Sequence, residues 1–167
     1  MRYLLALALT LCPALWAQAQ TPAEADATTR VTGIIDGDTI RVVRQGVIRR
    51  VRLWGIDAPE VHQPYGPSAK RFTRRLAGGK LVSLQIRDID RFGRLVAEVI
   101  LADGRNLNQE IVRAGFAWRY QYYARREQTL QSLETEARAA RRGLWAARKP
   151  MPPWEFRKRA RGIGGKE

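Results

Sequence analysis

The chain has 167 residues, which is enough for one compact domain with its own core and too few for two ordinary domains. Its 30 Lys and Arg residues against 16 Asp and Glu residues give a formal net charge of +14, which indicates a polyanionic partner, either nucleic acid or an anionic envelope surface. The sequence has one cysteine, Cys12, in a segment that we expect to be removed. This excludes a disulfide, a thiolate metal ligand and a cysteine nucleophile in the mature chain.

The N-terminus has the layout of a secretory signal peptide. Arg2 precedes an apolar run, and small residues then lead to a cleavage site after about Ala19. A membrane anchor is the alternative, but the run is shorter than the roughly 20 residues that span a bilayer, and Pro13 interrupts it. Lipid attachment to the cysteine is disfavoured, because the bulky Leu11 stands where lipoprotein signals have a small residue. We therefore predict a signal peptide over residues 1–19 and a secreted or periplasmic protein.

After the signal peptide, residues 20–29 are small and polar without an apolar period, which predicts a disordered leader. From Arg30 onward the chain is rich in β-branched residues, interrupted by Asp-Gly, Gln-Gly, Gly-Gly and Phe-Gly turn signals. This pattern predicts five short strands. They lie within residues 30–35, 38–43, 46–56, 80–89 and 93–104.

Three segments have helical patterns, and strands followed by helices predict an α+β fold with a mainly β core, built on a small twisted sheet or barrel. In the first helix Pro67 suits the first turn and Gly78 the end. In the second, Asn106 is the predicted N-cap and Gly115 the stop. The third ends at Gly143, and its apolar residues at helical spacing are Leu130, Leu133, Ala137 and Ala140.

The last predicted unit is a proline-containing basic tail over residues 149–167, which follows the domain at 30–148. We expect Trp154 and Phe156 to pin the start of this tail to the domain, beyond which it frays. The sequence assigns no role to the motif PPWEFRK in the tail.

Two carboxylates stand close together in the stretch IIDGDTIRVV, where Asp36 and Asp38 flank Gly37. An Asp-Gly pair between two β-rich runs is typical of a type I′ hairpin turn, which is the simpler interpretation of the motif taken alone. Two like charges held together repel each other unless a positive charge compensates them. The motif is therefore either a turn or part of a charged site.

A second acidic stretch, RVRLWGIDAPE, has Arg52 within a strand and Asp57 and Glu60 just after it. If this strand neighbours the first stretch, four carboxylates come together and require a cation. Oxygen ligands suit Ca²⁺ or Mg²⁺, whereas zinc prefers histidine or cysteine. The sequence has one histidine, His62, which we expect to be polar surface.

A third stretch, DIDRFGRLVAEV, supplies Arg94 directly after a Phe-Gly turn. Taken alone, Arg94 is an ordinary surface charge. Beside a metal ion, Arg94 and Arg52 would form a fork-shaped clamp for a phosphate, which arginine makes better than lysine does.

These motifs together carry a family resemblance. DGDT at 36–39, R-L-x-x-I-D-x-P-E at 52–60, F-G-R at 92–94 and VRAGFAW at 112–118 resemble the thermonuclease family, whose type member is staphylococcal nuclease. The resemblance covers about residues 30–145. It implies a five-stranded OB-type barrel with three helices, and a calcium-dependent phosphodiesterase that cleaves DNA and RNA and leaves 3′-phosphate ends.

The resemblance also implies a metal site. Asp38 and Asp57 would be direct Ca²⁺ ligands, and the backbone carbonyl of Ala58 would be a third. Asp36 would stand in the outer shell of the ion.

Catalytic roles follow from the same resemblance. Glu60 would orient or deprotonate the attacking water, and Arg52 and Arg94 would bind the scissile phosphate and stabilise the charge that builds on it.

The segment AWRYQYY is similar to a family segment that places tyrosines near the nucleotide, and we assign Tyr120 and Tyr122 to substrate binding. Rings that stack on unpaired bases favour single-stranded or frayed DNA and RNA without sequence preference. The alternative is that these rings pack the last helix onto the barrel. We expect a monomer that has no stable membrane insertion.

Two other classes of function remain open at this point. One is a noncatalytic nuclease-like module that binds nucleic acid or other polyanions. The other is a basic envelope protein that touches anionic polymers by charge alone. The motifs contain acidic residues as well as arginines, and this combination favours the enzyme over the other two classes.

Overall fold

The computed structural model describes residues 28–163, with side chains described as far as Arg161. The predicted signal peptide, residues 1–19, lies outside the described residues, as does most of the predicted leader. The first strand begins at Thr29, close to the predicted start of the fold.

Within the described range the chain forms seven strands. They are β1 (Thr29–Ile34), β2 (Thr39–Arg44), β3 (Val47–Leu53), β4 (Ile56–Asp57), β5 (Leu81–Ile89), β6 (Leu95–Leu101) and β7 (Trp118–Arg119).

Five of these strands close into a barrel in the order β1, β2, β3, β6, β5. Neighbouring strands are antiparallel except β3 and β6, which run parallel. The two shortest strands, β4 and β7, form a separate ladder beside it. The predicted α+β fold with a five-stranded OB-type barrel is confirmed.

Four α-helices and one 3₁₀ turn accompany the barrel in the described chain. They are α1 (Gly66–Ala77), α2 (Leu107–Arg113), α3 (Gln128–Ala139), the 3₁₀ turn (Gly143–Ala146) and α4 (Pro153–Ile163). This is one α-helix more than the three that were predicted.

The additional helix is α4, in the segment that the sequence predicted to be a tail. Pro153 is its first residue, where the missing N–H costs nothing because the first helical N–H groups have no intrahelical partner. Glu155 in the first turn and Arg161 in the last turn complement the helix dipole. The prolines that suggested an interruption therefore mark a helix start.

Helix α1 carries one buried stripe and a basic outer face. Ala69, Thr73 and Ala77 are buried, while Arg71 and Arg74 are exposed. This is the helical spacing that packs one face on the core. As predicted, Pro67 lies in its first turn and Gly78 ends it.

Helix α2 begins as its sequence predicts. The Asn106 side chain accepts hydrogen bonds from the backbone N–H groups of Asn108 and Gln109, which satisfies two otherwise unpaired donors. Gly115 follows the helix with a φ of 73°, a conformation that favours glycine.

The end of α3 differs from the prediction. The helix stops at Ala139, and Ala140 is exposed although its spacing placed it on the buried face. The reversal uses Arg141, at a φ of 52°, before Gly143 enters the 3₁₀ turn at 53°. The side chains of Leu144 and Trp145, which follow this reversal, are buried in place of Ala140.

The turn between β1 and β2 has a different physical basis from the one predicted. A type I′ turn needs positive φ at both central residues, and neither Asp36 nor Gly37 has it. A Cβ on Gly37 would instead lie 2.6 Å from the Cβ of Ala58 and 2.8 Å from that of Ala69. Glycine is required here by close packing, and the type I′ prediction is wrong.

The same turn is fastened to α1. The Thr73 hydroxyl donates a 2.6 Å hydrogen bond to the carbonyl of Gly37, and both residues are buried.

Among the described residues, no helix is long and apolar enough to cross a bilayer.

Candidate active site

The pairing of β2 with β3 brings the two acidic stretches together. Thr39 lies opposite Arg52 in this ladder, so Asp38 stands beside the Arg52 side chain. The chain then turns at Gly55, whose φ is 75°, and Asp57 pairs with Trp118 in the short ladder of β4 and β7. The barrel register therefore sets the positions of Asp38, Arg52 and Asp57.

Asp38 is a buried carboxylate with 3% of the residue exposed. Its Oδ1 forms an ion pair with Arg52 Nη1 and accepts a 3.2 Å hydrogen bond from the Thr39 hydroxyl. Its Oδ2 accepts from the backbone N–H of Ala58. A carboxylate has about four acceptor sites, so one site remains, on Oδ2.

Asp57 is buried even more completely, with 1% exposed. Its Oδ1 accepts from Arg52 Nη2 at 2.7 Å and from Arg157 Nη1 at 3.2 Å. Its Oδ2 accepts from Arg157 Nη2 at 2.8 Å. Three of about four acceptor sites are used, and the remaining one is again on Oδ2.

Arg52 is the charge that lies between the two buried carboxylates. Besides Asp38 and Asp57 it donates from Nη2 to the carbonyl of Ile56 at 3.1 Å. A guanidinium has five N–H donors, so two remain available to a phosphate. Arg52 therefore compensates the acidic pair and keeps capacity for an anionic ligand.

Asp36 contacts the acidic pair through the backbone N–H of Asp38. Its Oδ1 accepts a 3.0 Å hydrogen bond from the N–H of Asp38. Burial raises the pKa of Asp36 above the ordinary value of an aspartate, and this effect outweighs the opposing charge of Arg52 and the hydrogen bonds from Thr39. The structure records no contact of Asp36 with Asp57, and its outer-shell role stays a prediction.

Glu60 lies at the edge of the acidic pair and is the more accessible carboxylate, with 36% of its side chain exposed. Its Oε1 accepts a 2.7 Å hydrogen bond from Arg157 Nη1. Its backbone N–H donates to Oε1 of the buried Gln63. Glu60 is therefore held by its neighbours while its carboxylate remains open to solvent.

Arg157 of α4 is the residue of this site that the sequence did not predict. One guanidinium contacts both Asp57 and Glu60. Partial burial disfavours its charge, but the hydrogen bonds to those two carboxylates raise the pKa of Arg157 above its usual value. The signal available in the sequence was the basic helix after PPW, whose Trp154 lies one turn before Arg157.

Among the described residues, Arg94 makes no hydrogen bond or ion pair with Asp38 or Asp57. Its Nε donates a 2.7 Å hydrogen bond to Asp90 Oδ2 across the turn between β5 and β6, and its guanidinium lies 5.5 Å from the centre of the Phe92 ring. Within residues 28–163, its two Nη groups make no hydrogen bond. The fork end of Arg94 is therefore available, as a phosphate clamp requires.

The carboxylate oxygens of Asp38 and Asp57 are the type of ligand that a hard cation prefers. Both supply carboxylate oxygens with one acceptor site remaining, and calcium takes six to eight oxygen ligands, including backbone carbonyls and waters. In the described part of the chain, no group of three or more His, Cys, Asp or Glu side chains could hold a metal ion by itself. A cation here would therefore take most of its ligands from backbone and water.

Aromatic side chains form the wall beside this site. Tyr120 packs 6.2 Å from the Tyr122 ring centre and 6.2 Å from that of Trp154. Tyr122 is 79% exposed and Tyr123 is 53% exposed. Tyr120 thus supports the cluster, while Tyr122 and Tyr123 are free to contact a ligand.

The features described above surround one cleft of about 1010 Å³. Acidic residues and Arg52 line one part, the β5–β6 turn with Arg94 another, and the tyrosines and α4 the rest. His62 is exposed and does not line the cleft, which agrees with its interpretation as polar surface. The cleft places positive charge around a carboxylate pair, which suits a phosphodiester.

Comparison with known proteins identifies the family to which the chain belongs. The sequence profile of the family described as "Staphylococcal nuclease homologue" matches residues 50–147. That is more than half of the chain. The chain belongs to the staphylococcal nuclease family.

Relatives of this nuclease-family chain include an "Uncharacterized endonuclease" of Escherichia coli O157:H7, 43% identical over 135 residues, which are 81% of this chain and 88% of the relative. "Probable staphylococcal-like nuclease CAN1" of Oryza sativa subsp. japonica is 41% identical over 109 residues, 65% of this chain and 32% of the relative. "Protein ParB" of Escherichia coli is 35% identical over 147 residues, 83% of each chain. The family resemblance predicted from the motifs is confirmed.

Proposed function

We propose that this nuclease-family protein is a calcium-dependent enzyme that hydrolyses phosphodiester bonds of DNA and RNA with little sequence specificity, leaving 3′-phosphate ends. The observation that carries the proposal is the pair of buried carboxylates, Asp38 and Asp57, bridged by Arg52 beside the accessible carboxylate of Glu60. A binding module gains nothing from burying two like charges, whereas a metal-dependent phosphodiesterase needs them.

Asp38, Asp57 and the backbone carbonyl of Ala58 would hold the calcium ion. The bound ion supplies positive charge next to the phosphate, whose own negative charge otherwise repels an attacking hydroxide. Both carboxylates are fixed by several hydrogen bonds, so they need little reorganisation when the substrate binds.

Glu60 accepts a proton from the attacking water. Its carboxylate lies in the cleft and is partly exposed, so a water molecule can reach it. The water oxygen bonds to phosphorus and the bond from phosphorus to the 5′ oxygen breaks. The 5′ oxygen takes a proton from solvent and leaves as a hydroxyl, and the phosphate stays on the 3′ side. A positioned base of this kind contributes about 10²–10⁴-fold to the rate.

Arg52 and Arg94 bind the phosphate oxygens on which charge develops. Arg52 has two N–H donors remaining, and both Nη groups of Arg94 are available in the described structure. Donors already in position before the reaction stabilise the transition state without paying for their own orientation.

Tyr122 supports a preference for single-stranded or frayed substrate. Its ring is mostly exposed on the cleft wall, and an aromatic ring that stacks on an unpaired base is tolerant of sequence. The net charge of +14 adds an affinity for phosphates that falls with salt.

We also propose that the protein is exported to the periplasm or the medium and acts there as a monomer. The layout of residues 1–19 supports the export. Fractionation of cells that express the full chain, followed by N-terminal sequencing of the product, tests this. Cytoplasmic protein that still begins at Met1 would contradict it.

The activity is tested with the chain from residue 20 onward and denatured DNA, in calcium and in excess chelator. We expect cleavage with calcium, loss of cleavage with chelator, and 3′-phosphate ends on the products. DNA binding without cleavage in either condition would reject the enzyme and favour the noncatalytic module.

A further inference from the structure

We propose that Arg157 is a positioning residue of this active site, which fixes the Glu60 carboxylate against the buried Asp57. The proposal rests on the nuclease function proposed above. Arg157 lies in α4, beyond residue 147, where the match to the family profile ends. The family comparison therefore assigns it no role.

The first argument is the geometry of the guanidinium. Arg157 Nη1 donates to Glu60 Oε1 at 2.7 Å and to Asp57 Oδ1 at 3.2 Å, while Nη2 donates to Asp57 Oδ2 at 2.8 Å. A planar guanidinium bound to both oxygens of Asp57 has a fixed orientation. The contact with the buried Asp57 therefore fixes the position of the Arg157 guanidinium, and the guanidinium in turn holds the accessible carboxylate of Glu60.

Glu60 needs such a partner. In the described chain, Arg157 is the one residue that forms a hydrogen bond or ion pair with the Glu60 carboxylate. An exposed glutamate without a partner samples several rotamers, and a base must lie within hydrogen-bond reach of the water from which it takes the proton. Arg157 therefore restricts Glu60 to one part of the cleft.

A second, independent contact ties the same segment to Glu60. Gln63 has 3% of its surface exposed, and its Nε2 donates a 2.5 Å hydrogen bond to the carbonyl of Met151, just before α4. Gln63 Oε1 accepts from the backbone N–H of Glu60. The C-terminal segment thus contacts the Glu60 backbone through Gln63 and its side chain through Arg157.

The start of α4 is itself anchored. Pro153 is buried, and the ring of Trp154 lies 6.3 Å from that of Trp118 and 6.2 Å from that of Tyr120. Arg157 follows Trp154 by three residues, so both project from the same side of the helix. Aromatic packing therefore sets where the guanidinium lies.

Arg157 is compatible with a cation at the acidic pair. Asp57 keeps one acceptor site on Oδ2 after its three contacts. The positive guanidinium also offsets the negative charges of Asp57 and Glu60. The two carboxylates can therefore lie close together while both are ionised. Arg157 therefore orders the acidic residues without using all the oxygen atoms that a metal needs.

The experiment compares Arg157→Ala and Arg157→Lys with Arg159→Ala. Arg159 is an exposed residue of the same helix that does not line the cleft, so its variant removes the same charge without touching the site. For each protein we would measure kcat and KM on denatured DNA, calcium affinity by calorimetry, and the thermal midpoint. Cleavage by the wild-type protein tests the proposed function separately, because a wild-type protein that does not cleave rejects the nuclease before any variant is compared.

We expect Arg157→Ala to lower kcat by about 10–100-fold, the usual effect of removing a group that orients a reacting residue. At saturating calcium KM should change little, and Arg159→Ala should behave as wild type. The thermal midpoint of Arg157→Ala should fall, because the buried Asp57 loses a charged partner, so kcat is compared at a temperature where both proteins are folded. Arg157→Lys should recover part of kcat, because lysine keeps the charge and loses the fork. Added ethylguanidinium should raise the kcat of Arg157→Ala, whereas ethylammonium at the same concentration should not.

Three results would overturn the proposal. An unchanged kcat in Arg157→Ala would show that Glu60 needs no such partner. A tighter calcium affinity with unchanged kcat would make Arg157 a competitor of the cation. A lower kcat that no guanidinium restores would reduce Arg157 to a structural role.

Discussion

The Arg157 guanidinium binds both oxygens of Asp57 across 100 residues of chain, at 2.8 and 3.2 Å. Asp57 lies in the ladder beside the barrel, and Arg157 lies on α4. The cleft is therefore completed by a segment outside the barrel.

Gly37→Ala should destabilise the protein by about 1–3 kcal/mol, the usual cost of adding volume to a packed interior. The new Cβ would overlap the Cβ atoms of Ala58 and Ala69. Chemical denaturation of the metal-free protein measures the effect. Combining it with Ala69→Gly should recover part of the loss, because that change removes one of the two overlaps. An unchanged free energy of unfolding in Gly37→Ala would contradict the packing explanation.

Asp90 should give a pH-dependent contribution to stability. Burial opposes its ionisation, but hydrogen bonds from Arg94 and Phe92 prevail and lower the pKa of Asp90 below the ordinary 3.8. A lowered folded-state pKa stabilises the protein above the unfolded value and loses this effect as the pH falls through the folded value. The stability difference between wild type and Asp90→Asn should therefore be constant near neutral pH and shrink below about pH 4. A difference that grows on acidification would contradict the pairing with Arg94.

Arg94→Lys should lower kcat by about 10²-fold or more, in the range found for removing one preorganised donor. The change keeps the positive charge and removes the fork that two phosphate oxygens require. Arg91→Lys is the comparison variant, since Arg91 is an exposed arginine of the same turn that also lines the cleft and stacks on Phe92. It receives the same substitution at a position with no proposed clamp role. Steady-state kinetics on denatured DNA make the comparison. Equal rates for Arg94→Lys and wild type would make Arg94 structural.

Tyr122→Ala should raise the dissociation constant for single-stranded oligonucleotides more than that for duplex DNA. Loss of one base stack costs about 1–3 kcal/mol, which corresponds to roughly 5–150-fold in affinity. Tyr122→Phe keeps the ring and should bind as wild type does. Fluorescence anisotropy with labelled oligonucleotides in chelator measures binding without cleavage. Equal losses on single-stranded and duplex DNA would contradict stacking on unpaired bases.

Much of the barrel followed from the sequence because its signals are local. Alternating β-branched runs and glycine turns mark the strands, and Asn106 marks the start of α2 by its own side-chain chemistry. The acidic pair could also be predicted, since DGDT and IDAPE precede and follow strands that pair with each other.

The features that could not be predicted depend on long-range packing. Gly37 is needed because of Ala58 and Ala69, which lie far from it in sequence, and no turn propensity reports that contact. Arg157 reaches Asp57 only because the rings around Trp154 fix the start of α4. Nothing in the local sequence distinguishes a basic residue of the active site from an ordinary solvent-exposed one in the same basic segment.

The most direct test of the nuclease mechanism is the initial rate of denatured DNA cleavage by Glu60→Gln relative to wild type, at saturating calcium. The substituted amide would keep nearly the same shape as the carboxylate and could not accept the proton of the attacking water. We expect a loss of about 10²–10⁴-fold, with the free energy of unfolding and calcium affinity nearly unchanged. A Glu60→Gln protein that cleaves at the wild-type rate would contradict the assignment of Glu60 as the base, and with it the account of this cleft.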